Sequence, residues 1–279
     1  MKTFGIIALA GSVNVEKLEK AITNIQNLGY NVKVSKNILD ENRYLAGTDE
    51  KKLEEFYKFF LDSEIDVILN ARGGYGSIRL INKIDYKLIQ NNPKIFCGFS
   101  DITALLLMIY KKTGLITYHG PMACSDFIEP ATNNFTISNF FNAIDNKSLE
   151  YKGNHIIKEG SANGIIWGGN LATVTSLCGQ DFVPDEDFIF FTEDLNEPVY
   201  KIDKMFTQLF NIEKFKDNCK GIVLGDFLNV GNEEWLNEFF NEFKIPAVGG
   251  FKITHNQEKI TIPIGKKASL ENVILKINA

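Results

Sequence analysis

The feature that most restricts the fold is the alternation of short apolar runs with amphipathic segments in the N-terminal part of the chain. The apolar runs predict strands, and the segments between them, with apolar residues at helical spacing, predict helices. The predicted strands are Phe4–Ala10, Tyr30–Val34, Asp66–Asn70 and Ile95–Cys97, and the predicted helices are Val15–Leu28, Lys51–Leu61 and Ile102–Tyr110. This alternation predicts an α/β fold with a mostly parallel sheet covered by helices on both faces.

The pattern changes between residues 124 and 161, where polar residues dominate and only Ile137–Ile144 keeps a helical spacing. We interpret this segment as a connector. Apolar strands and helices resume after it, from the GIIWGGN stretch at Gly164–Asn170 to a last strand at Val273–Ile277. We therefore predict an N-terminal α/β domain (1–123), a connector (124–161) and a C-terminal domain (162–279).

Composition narrows the classes of function. The chain has 279 residues, a formal net charge of −5 and no basic run, which argues against nucleic acid or an anionic membrane as partner. The longest apolar run is far too short to span a bilayer. Four widely spaced cysteines show no C-x-x-C pair, so zinc or redox motifs are not supported and free thiols in a reducing compartment are expected. The N-terminal MKTFGIIALA resembles a short signal peptide but also fits a first strand; we favour the strand, and hence the cytoplasm.

Ser100 lies where one predicted strand gives way to a helix, in the stretch KIFCGFSDITALLLMIY. A serine in a sharp strand-to-helix turn has an exposed hydroxyl beside the first helical N–H groups, as nucleophilic serines do. Equally, Ser100 could simply cap the helix, with Asp101 favouring the helix dipole. The stretch alone leaves both interpretations open.

Two further polar residues follow predicted strands: Glu193 after Phe188–Phe191, and His255 after Pro246–Phe251. Because ligands gather at the carboxyl ends of strands in parallel α/β sheets, Ser100, Glu193 and His255 can converge there. Serine, histidine and a carboxylate are a complete set for nucleophilic hydrolysis, although exposed histidines and strand-end glutamates are also common without it. Of the other histidines, His119 is expected to order the site and His155 to lie on the surface.

A glycine-rich loop, Ala71-Arg72-Gly73-Gly74-Tyr75-Gly76-Ser77, follows the strand that ends at Asn70. It matches neither G-x-G-x-x-G nor G-x-x-x-x-G-K-[ST], so a nucleotide-phosphate loop is not indicated. Its backbone N–H groups could approach an oxyanion or carboxylate, and a plain tight turn is the simpler alternative. No H-E-x-x-H or similar spacing predicts a metal.

Taken together, these segments give the chain a resemblance to the LD-carboxypeptidase family of serine peptidases, which includes the microcin C self-immunity hydrolases. The landmarks run in the family's order, from about residue 40 to 270: YLAGTD from Tyr44, ARGGYGS from Ala71, GFSDITAL from Gly98, HGP from His119, GGNL from Gly168, Glu193-Asp194 and PIG from Pro263. Each landmark alone is weak, and together they are specific.

The resemblance implies a fold, a site and a mechanism. The N-terminal domain would resemble class I glutamine amidotransferases, the smaller C-terminal domain would be α/β with mixed strands, and the site would lie between them. Ser100 would be the nucleophile, His255 the general base and Glu193 its carboxylate partner, with backbone N–H groups of Gly74 and Asp101 as the oxyanion hole. No metal or organic cofactor is implied. The family commonly has glycine before the histidine where this chain has Thr254.

The activity implied is release of the terminal D-alanine from peptidoglycan tetrapeptides by cleavage of an L,D-amide bond, in cytoplasmic cell-wall recycling. A muropeptide would be the small-molecule partner. Arg72 would be a candidate ligand for its terminal carboxylate, and the protein could assemble as a homodimer. Two alternatives are kept. A microcin C-type acyl- or peptidyl-nucleotide hydrolase would use the same triad but needs an aromatic loop, and the segment 124–161 has no tryptophan. A non-catalytic muropeptide-binding module would not need Ser100, Glu193 and His255 together.

Overall fold

The computed structural model describes residues 2–130 and 133–279. The connector predicted at 124–161 therefore contains two residues, 131 and 132, outside the described part. The strands in the described residues are β1 Thr3–Ile7, β2 Asn31–Val34, β3 Val67–Asn70, β4 Ile95–Gly98, β5 Thr117–His119, β6 Leu149–Lys152, β7 His155–Lys158, β8 Ser161–Asn170, β9 Phe188–Leu195, β10 Cys219–Leu228, β11 Ala247–Gly249, β12 Ile262–Ile264, β13 Lys267–Glu271 and β14 Ile274–Ile277. The helices are α1 Val15–Asn27, α2 Asp49–Leu61, α3 Tyr86–Asn91, α4 Thr103–Thr113, α5 Ala123–Asp126, α6 Asn134–Ile144, α7 Leu171–Ser176, α8 Val199–Phe210, α9 Glu213–Asn218 and α10 Glu233–Phe240.

The first sheet has the strand order β12-β5-β4-β3-β1-β2. Its five N-terminal strands are parallel, and β12 joins them antiparallel beside β5. Central strands such as β3 are buried along their whole length, as expected for parallel strands covered on both faces. The loops that follow β1 to β5 therefore lie at one edge of the sheet.

The second sheet has the order β6-β14-β13-β8-β9-β10-β11-β7. Strands β8 to β11 are parallel, and antiparallel strands flank them on both sides, so this sheet is mixed. Strands β6 and β7 come from the segment 124–161, and α6 extends the helix expected there. The fold is thus α/β with two sheets, and β12 ties the C-terminal part of the chain to the first sheet.

One continuous apolar core lies beneath both sheets. Phe4 and Phe140 belong to it on the N-terminal side, and Phe190 and Phe215 on the C-terminal side. Trp167 is completely buried and packs against Phe188, with ring centroids 5.2 Å apart. The Trp167 ring therefore serves core packing. The core fixes the strand ends, and with them the loops that carry the polar residues discussed next.

Candidate active site

Ser100 occupies a sharp turn between β4 and α4. The residue has a φ of 59°, in the left-handed region, and opens a short 3₁₀ helix, Ser100–Ile102, that leads into α4. A left-handed conformation is unfavourable for a residue with a Cβ, and such strain clusters at functional sites. Its side chain is half-buried at the carboxyl edge of the first sheet. The turn thus presents a hydroxyl in the way that strand–turn–helix nucleophiles require.

Glu193 and His255 meet although 62 residues separate them in sequence. Oε2 of Glu193 lies 2.7 Å from Nδ1 of His255. The carboxylate is almost completely buried and the imidazole has about one-sixth of its surface exposed. No hydrogen-bond partner for Nε2 of His255 is present in the part of the chain that the structure describes. The carboxylate can therefore hold the Nδ1 proton while Nε2 stays available as a base.

Phe99 brings this pair to the serine turn. Its ring contacts the His255 ring edge-on, with centroids 5.1 Å apart, and Phe99 immediately precedes Ser100. No hydrogen bond joins Ser100 Oγ to His255 Nε2 in the described residues. Catalytic hydrogen bonds are often long or misaligned without substrate, so the arrangement is compatible with a base that engages the serine on binding.

The loop that carries His255 is anchored to β10. Phe251 N–H donates to the carbonyl of Leu224 at 3.2 Å, and Asp226 N–H donates to that of Ile253 at 2.9 Å. Thr254, which stands where the related family commonly has glycine, is buried, and its Oγ1 accepts the N–H of Asn256 at 3.0 Å. Its hydroxyl therefore closes a local turn around His255, so the side chain at this position supports the loop instead of obstructing it.

A buried ion pair fixes the far end of the same loop. Lys259 Nζ pairs with the carboxylate of Asp126, and both side chains are at most 5% exposed. The ammonium also lies 4.8 Å from the centroid of the Phe99 ring, on which His255 packs. Thr136 of α6 adds two hydrogen bonds, donating to Gln257 O at 2.7 Å and accepting from Lys259 N–H at 2.9 Å. The segment after β5 thus holds the histidine loop in place.

The glycine loop packs directly against the serine. A Cβ placed on Gly73 would lie 3.0 Å from Ser100 Cβ and 3.1 Å from Oγ, so only glycine leaves the hydroxyl free. The Gly73 carbonyl accepts hydrogen bonds from Gly11 N–H and Arg72 Nε, both at 3.2 Å. In a trans peptide the C=O and the following N–H point in opposite directions, so these two donors fix the Gly74 N–H pointing away from Gly11 and Arg72.

Asp101 connects the serine turn to the glycine loop. Its Oδ2 accepts the N–H of Ser77 at 2.8 Å, and the Ser77 hydroxyl donates to the Asp101 carbonyl. Burial raises the pKa of the Asp101 carboxyl, against the hydrogen bonds from Ser77, which lower it. The Asp101 side chain therefore has a structural role, holding the glycine loop at Ser77. Its backbone N–H has no acceptor among the described residues and lies 3.6 Å from the Cβ position of Gly73.

The guanidinium group of Arg72 donates hydrogen bonds to main-chain carbonyls. Besides the bond to Gly73, its Nη1 donates to the carbonyl of Ser12 at 3.1 Å, so it bridges the loops after β3 and β1. No carboxylate pairs with it in the described part of the chain. The sequence interpretation offered two roles for Arg72, a ligand for the substrate carboxylate and a structural residue across the loop; these contacts match the second.

Asn170 and Asp194 form a support that the sequence pattern did not reveal. Asn170 ends β8; its N–H donates to Thr103 Oγ1 at 3.2 Å, and its Nδ2 donates to Asp194 Oδ1 at 3.0 Å. Asp194 follows Glu193 directly, and burial, with the charge of Glu193 next, raises the pKa of Asp194 to about 6. The pair thereby joins the strand carrying Glu193 to the start of α4. In the sequence, only the GGN stretch and the Glu193-Asp194 dipeptide could have indicated this contact between Asn170 and Asp194.

His119 lies beneath the site as a neutral ring. It is 3% exposed and packs edge-on against Phe191, with centroids 5.2 Å apart, and against Phe99 at 6.1 Å. Its Nδ1 has no partner among the described residues, so the expected hydrogen-bonding role is not seen at that atom. Burial, followed by the charges of His255 and Lys259, lowers the pKa of His119 to about 3. His155 is exposed on β7, as predicted.

Two family models match the chain. That of the LD-carboxypeptidase N-terminal domain covers residues 4–120, and that of the LD-carboxypeptidase C-terminal domain covers residues 163–270. The first match contains Ser100 and the glycine loop, and the second contains Glu193 and His255. Both halves of the site therefore fall within matched segments.

Similar proteins cover almost the whole chain. A probable murein peptide carboxypeptidase of Bacillus subtilis (strain 168) is 35% identical, over 96% of this chain and 88% of its own length. The crystal structure of an MccF-like protein from Bacillus anthracis str. Ames has a TM-score of 0.91 at 28% identity, covering 100% of this chain and 97% of that one. That of muramoyltetrapeptide carboxypeptidase from Oxalobacter formigenes has a TM-score of 0.89 at 26% identity, covering 100% and 99%.

Proposed function

Because this chain belongs to the LD-carboxypeptidase family of serine peptidases, we propose that it is a serine carboxypeptidase that releases terminal D-alanine from peptidoglycan tetrapeptides. The observation that carries the proposal is the 2.7 Å contact of Glu193 with His255 beside the strained turn of Ser100. A muropeptide is the substrate, and the bond cleaved is the amide between the carboxyl group of an L-centre and D-alanine.

In the proposed mechanism Ser100 Oγ attacks the scissile carbonyl carbon while His255 Nε2 takes the hydroxyl proton. The negative charge of Glu193 stabilises the imidazolium that forms. The backbone N–H groups of Gly74 and Asp101 stabilise the oxyanion, and one such donor is typically worth a factor of about 10²–10³ in rate. His255 then gives its proton to the amine nitrogen, D-alanine leaves, and an ester of Ser100 remains. Water hydrolyses this ester with His255 again as base, restoring the serine hydroxyl.

The fixed peptide between Gly73 and Gly74 supports this assignment. Two donors hold the Gly73 carbonyl toward Gly11 and Arg72, so the orientation of the Gly74 N–H is fixed before substrate binds. A rotated peptide would instead present a carbonyl to the developing oxyanion. Arg72 helps to orient this peptide, because its Nε donates to the Gly73 carbonyl. The competing hypothesis is that Arg72 binds the terminal carboxylate of the substrate.

The decisive experiment is mass spectrometry of a disaccharide-tetrapeptide incubated with the wild type, with Ser100→Ala and with Ser138→Ala, a change at an exposed serine of α6. We expect loss of one alanine mass with the wild type and the control, and a decrease of about 10⁶ in kcat for Ser100→Ala. Equal release by Ser100→Ala would make Ser100 a helix cap. No release by any folded protein would reject the carboxypeptidase activity.

A microcin C-type hydrolase is the second candidate, favoured by the match to the MccF-like structure. The same three side chains could cleave an aminoacyl-sulfamoyl nucleoside. Mass spectrometry with such a compound separates the two functions, because the carboxypeptidase releases alanine from the tetrapeptide and leaves the nucleoside conjugate intact. A binding module without activity would retain ligand but show no labelling of Ser100 by a serine-directed probe.

We further propose that residues 1–123 form a unit of the class I glutamine amidotransferase type and residues 162–279 a second unit, with 124–161 between them. Among the described residues, no helix is long and apolar enough to cross a membrane. We propose a cytoplasmic location and a homodimer. Light scattering after size-exclusion chromatography measures the assembly, and fractionation of cells measures the location.

A further inference from the structure

Two exposed tyrosines lie against each other near the serine turn. Tyr44 is 57% exposed and Tyr75 is 46% exposed, and their ring centroids are 5.8 Å apart. Tyr200 and Trp235 are the other largely exposed aromatic side chains in the described residues, and neither contacts a second exposed ring. Tyrosine is enriched where an apolar ring face and a polar group meet a partner, so two adjacent exposed rings are a candidate ligand surface. We call Tyr44 and Tyr75 the tyrosine platform.

The platform is held rigidly. Asn42 and Leu45 exchange two backbone hydrogen bonds, at 2.9 and 3.1 Å, so Tyr44 sits in a closed turn. Ala46 N–H donates to the carbonyl of Ala10 at 2.9 Å, which ties this turn to the loop after β1. Leu45 is buried beneath Gly76, where a Cβ would approach it to 2.8 Å. The two rings are therefore presented by loops that are already packed, which lowers the entropy lost on binding.

Two arginines, Arg43 and Arg79, contact the platform. The chain has three arginines, Arg43, Arg72 and Arg79, and all three belong to the loops after β2 and β3. Arg43 has a strained φ of 60°, and its Cζ lies 5.5 Å from the centroid of the Tyr44 ring without an ion-pair partner in the described part. Arg79 interacts with the Tyr75 hydroxyl and donates its Nε to both oxygens of Asp49. Guanidinium groups suit carboxylate ligands, and Arg79 is already paired with Asp49, so Arg43 is the group that favours an anionic molecule here.

The distance from the nucleophile fits a tetrapeptide. The Cβ position of Gly73 is 3.0 Å from Ser100 Cβ, and Tyr75 lies two residues further along the loop, which adds at most ~7 Å. In the substrate, three residues separate the scissile carbonyl from the sugar, which is ~10 Å of extended chain. The sugar can therefore reach the platform while the scissile bond lies at Ser100.

The direction of the substrate agrees with this placement. His255 must reach the leaving nitrogen to protonate it, so D-alanine lies on the side of His255. His255 packs on Phe99 just after β4, and its charge acts on His119 at the end of the neighbouring strand β5. The platform stands on the loops after β3 and β2, on the other side of β4. The rest of the peptide, which extends away from His255, is directed to that side.

We propose that the tyrosine platform is a subsite for the sugar of the muropeptide, with Arg43 beside it for the acidic peptide arm. The C–H faces of a pyranose ring are the part of such a substrate that packs on aromatic rings, because the peptide itself is small and charged. The proposal rests on the carboxypeptidase function proposed above and adds a preference for sugar-bearing over free tetrapeptide.

The test compares alanine release from a disaccharide-tetrapeptide and from the same tetrapeptide without sugar. We expect wild type to have the higher kcat/KM on the sugar-bearing substrate, and Tyr44→Ala to lower that preference about tenfold, equivalent to ~1.4 kcal/mol. The loss should lie in KM, because the sugar is remote from the reacting atoms. Tyr75→Leu removes the second ring and should also lower the preference, whereas Tyr75→Phe keeps the ring, loses only the hydroxyl beside Arg79 and should retain it. Tyr200→Ala, at a still more exposed tyrosine of α8, is the matched control and should keep the wild-type preference.

An unchanged preference in Tyr44→Ala, or a wild type that treats both substrates alike, would overturn the subsite. Neither result touches the carboxypeptidase function, since both substrates would still release alanine. Absence of release from both substrates by wild type would instead reject the function on which the subsite depends. Circular dichroism of each variant confirms that a lost preference arises in a folded protein.

Discussion

Glu193 Oε2 lies 2.7 Å from His255 Nδ1, and both residues belong to the second sheet and its loops, whereas Ser100 belongs to the first. The base and its carboxylate thus form one unit, and the nucleophile another. Phe99 and the antiparallel pairing of β12 with β5 hold the two units in register. Chemistry at Ser100 therefore depends on the packing between the sheets as well as on the three side chains.

Replacing Glu193 by Gln tests the role of the carboxylate. Glutamine has nearly the same shape, but it cannot stabilise an imidazolium and can bind the wrong tautomer of His255. We expect kcat to fall by a factor on the order of 10³–10⁴, with the fold retained. Alanine release measured for Glu193→Gln and for Glu197→Gln, a change at a half-buried glutamate that pairs with Lys201 shortly after the same strand, checks this. A variant within tenfold of wild type would mean that Glu193 does not serve the histidine.

Arg72 distinguishes two hypotheses through its kinetics. If its Nε orients the Gly73–Gly74 peptide, Arg72→Gln should lower kcat by up to ~10²–10³, the value of one oxyanion donor, with little change in KM. If it binds the terminal carboxylate, KM for the tetrapeptide should rise, and KM for an analogue with an amide terminus should not. Steady-state kinetics on both substrates separate the outcomes, and a rise in KM alone would contradict the orienting role.

The ion pair of Lys259 with Asp126 should govern the stability of the histidine loop. Lys259→Met leaves a buried carboxylate without its cation, and we expect a loss of ~3–5 kcal/mol in the free energy of unfolding. The double variant Lys259→Met/Asp126→Leu should regain much of that loss, because both charges are removed. Urea unfolding of the two single variants and the double variant measures the coupling.

The control for that cycle lies on the same loop. Lys252 pairs with Glu258 while both side chains are about half exposed, so Lys252→Met should change stability by only ~0–1 kcal/mol. An equal effect of the two lysine substitutions would show that burial does not strengthen the pair with Asp126.

The sequence predicted much of the fold because the strongest patterns are local. The buried strand β3 and the amphipathic helices α1 and α2 follow from apolar spacing, and the predicted bounds lie within two residues of those in the structure. Strands β6, β7 and β13 were not predicted. They flank the second sheet, where alternating polar residues carry little signal, and only their pairing with distant strands makes them strands.

The site shows the same division. Ser100, Glu193 and His255 could be named from strand ends and a resemblance, and they remain predictions for experiment. The hydrogen bonds that orient the Gly73–Gly74 peptide, the Asp126–Lys259 pair and the tyrosine platform could not be named, because each depends on contacts between separate parts of the chain. Their chemistry follows from contacts between side chains, carbonyls and rings that no spacing within one segment encodes.

His119 should make the protein sensitive to acid. Its pKa is lowered from 6.5 to about 3 because burial favours the neutral ring, so the folded state binds its proton only at low pH. The unfolded chain takes up that proton near pH 6.5. The neutral histidine therefore contributes stability that is fully present above pH 6.5 and is lost progressively as the pH falls toward 3. At pH 4.5 the loss amounts to ~3 kcal/mol, from ~1.4 kcal/mol per pH unit over two units.

His119→Gln removes the titrating group and should flatten this part of the pH dependence. Urea unfolding at pH 7.5 and 4.5 gives the difference for wild type, for His119→Gln and for His155→Gln, whose ring is exposed on β7. We expect the wild type and the His155 variant to lose ~3 kcal/mol more than the His119 variant over this interval. Parallel pH profiles for all three proteins would show that the buried ring is protonated without cost, and that other groups cause any acid unfolding.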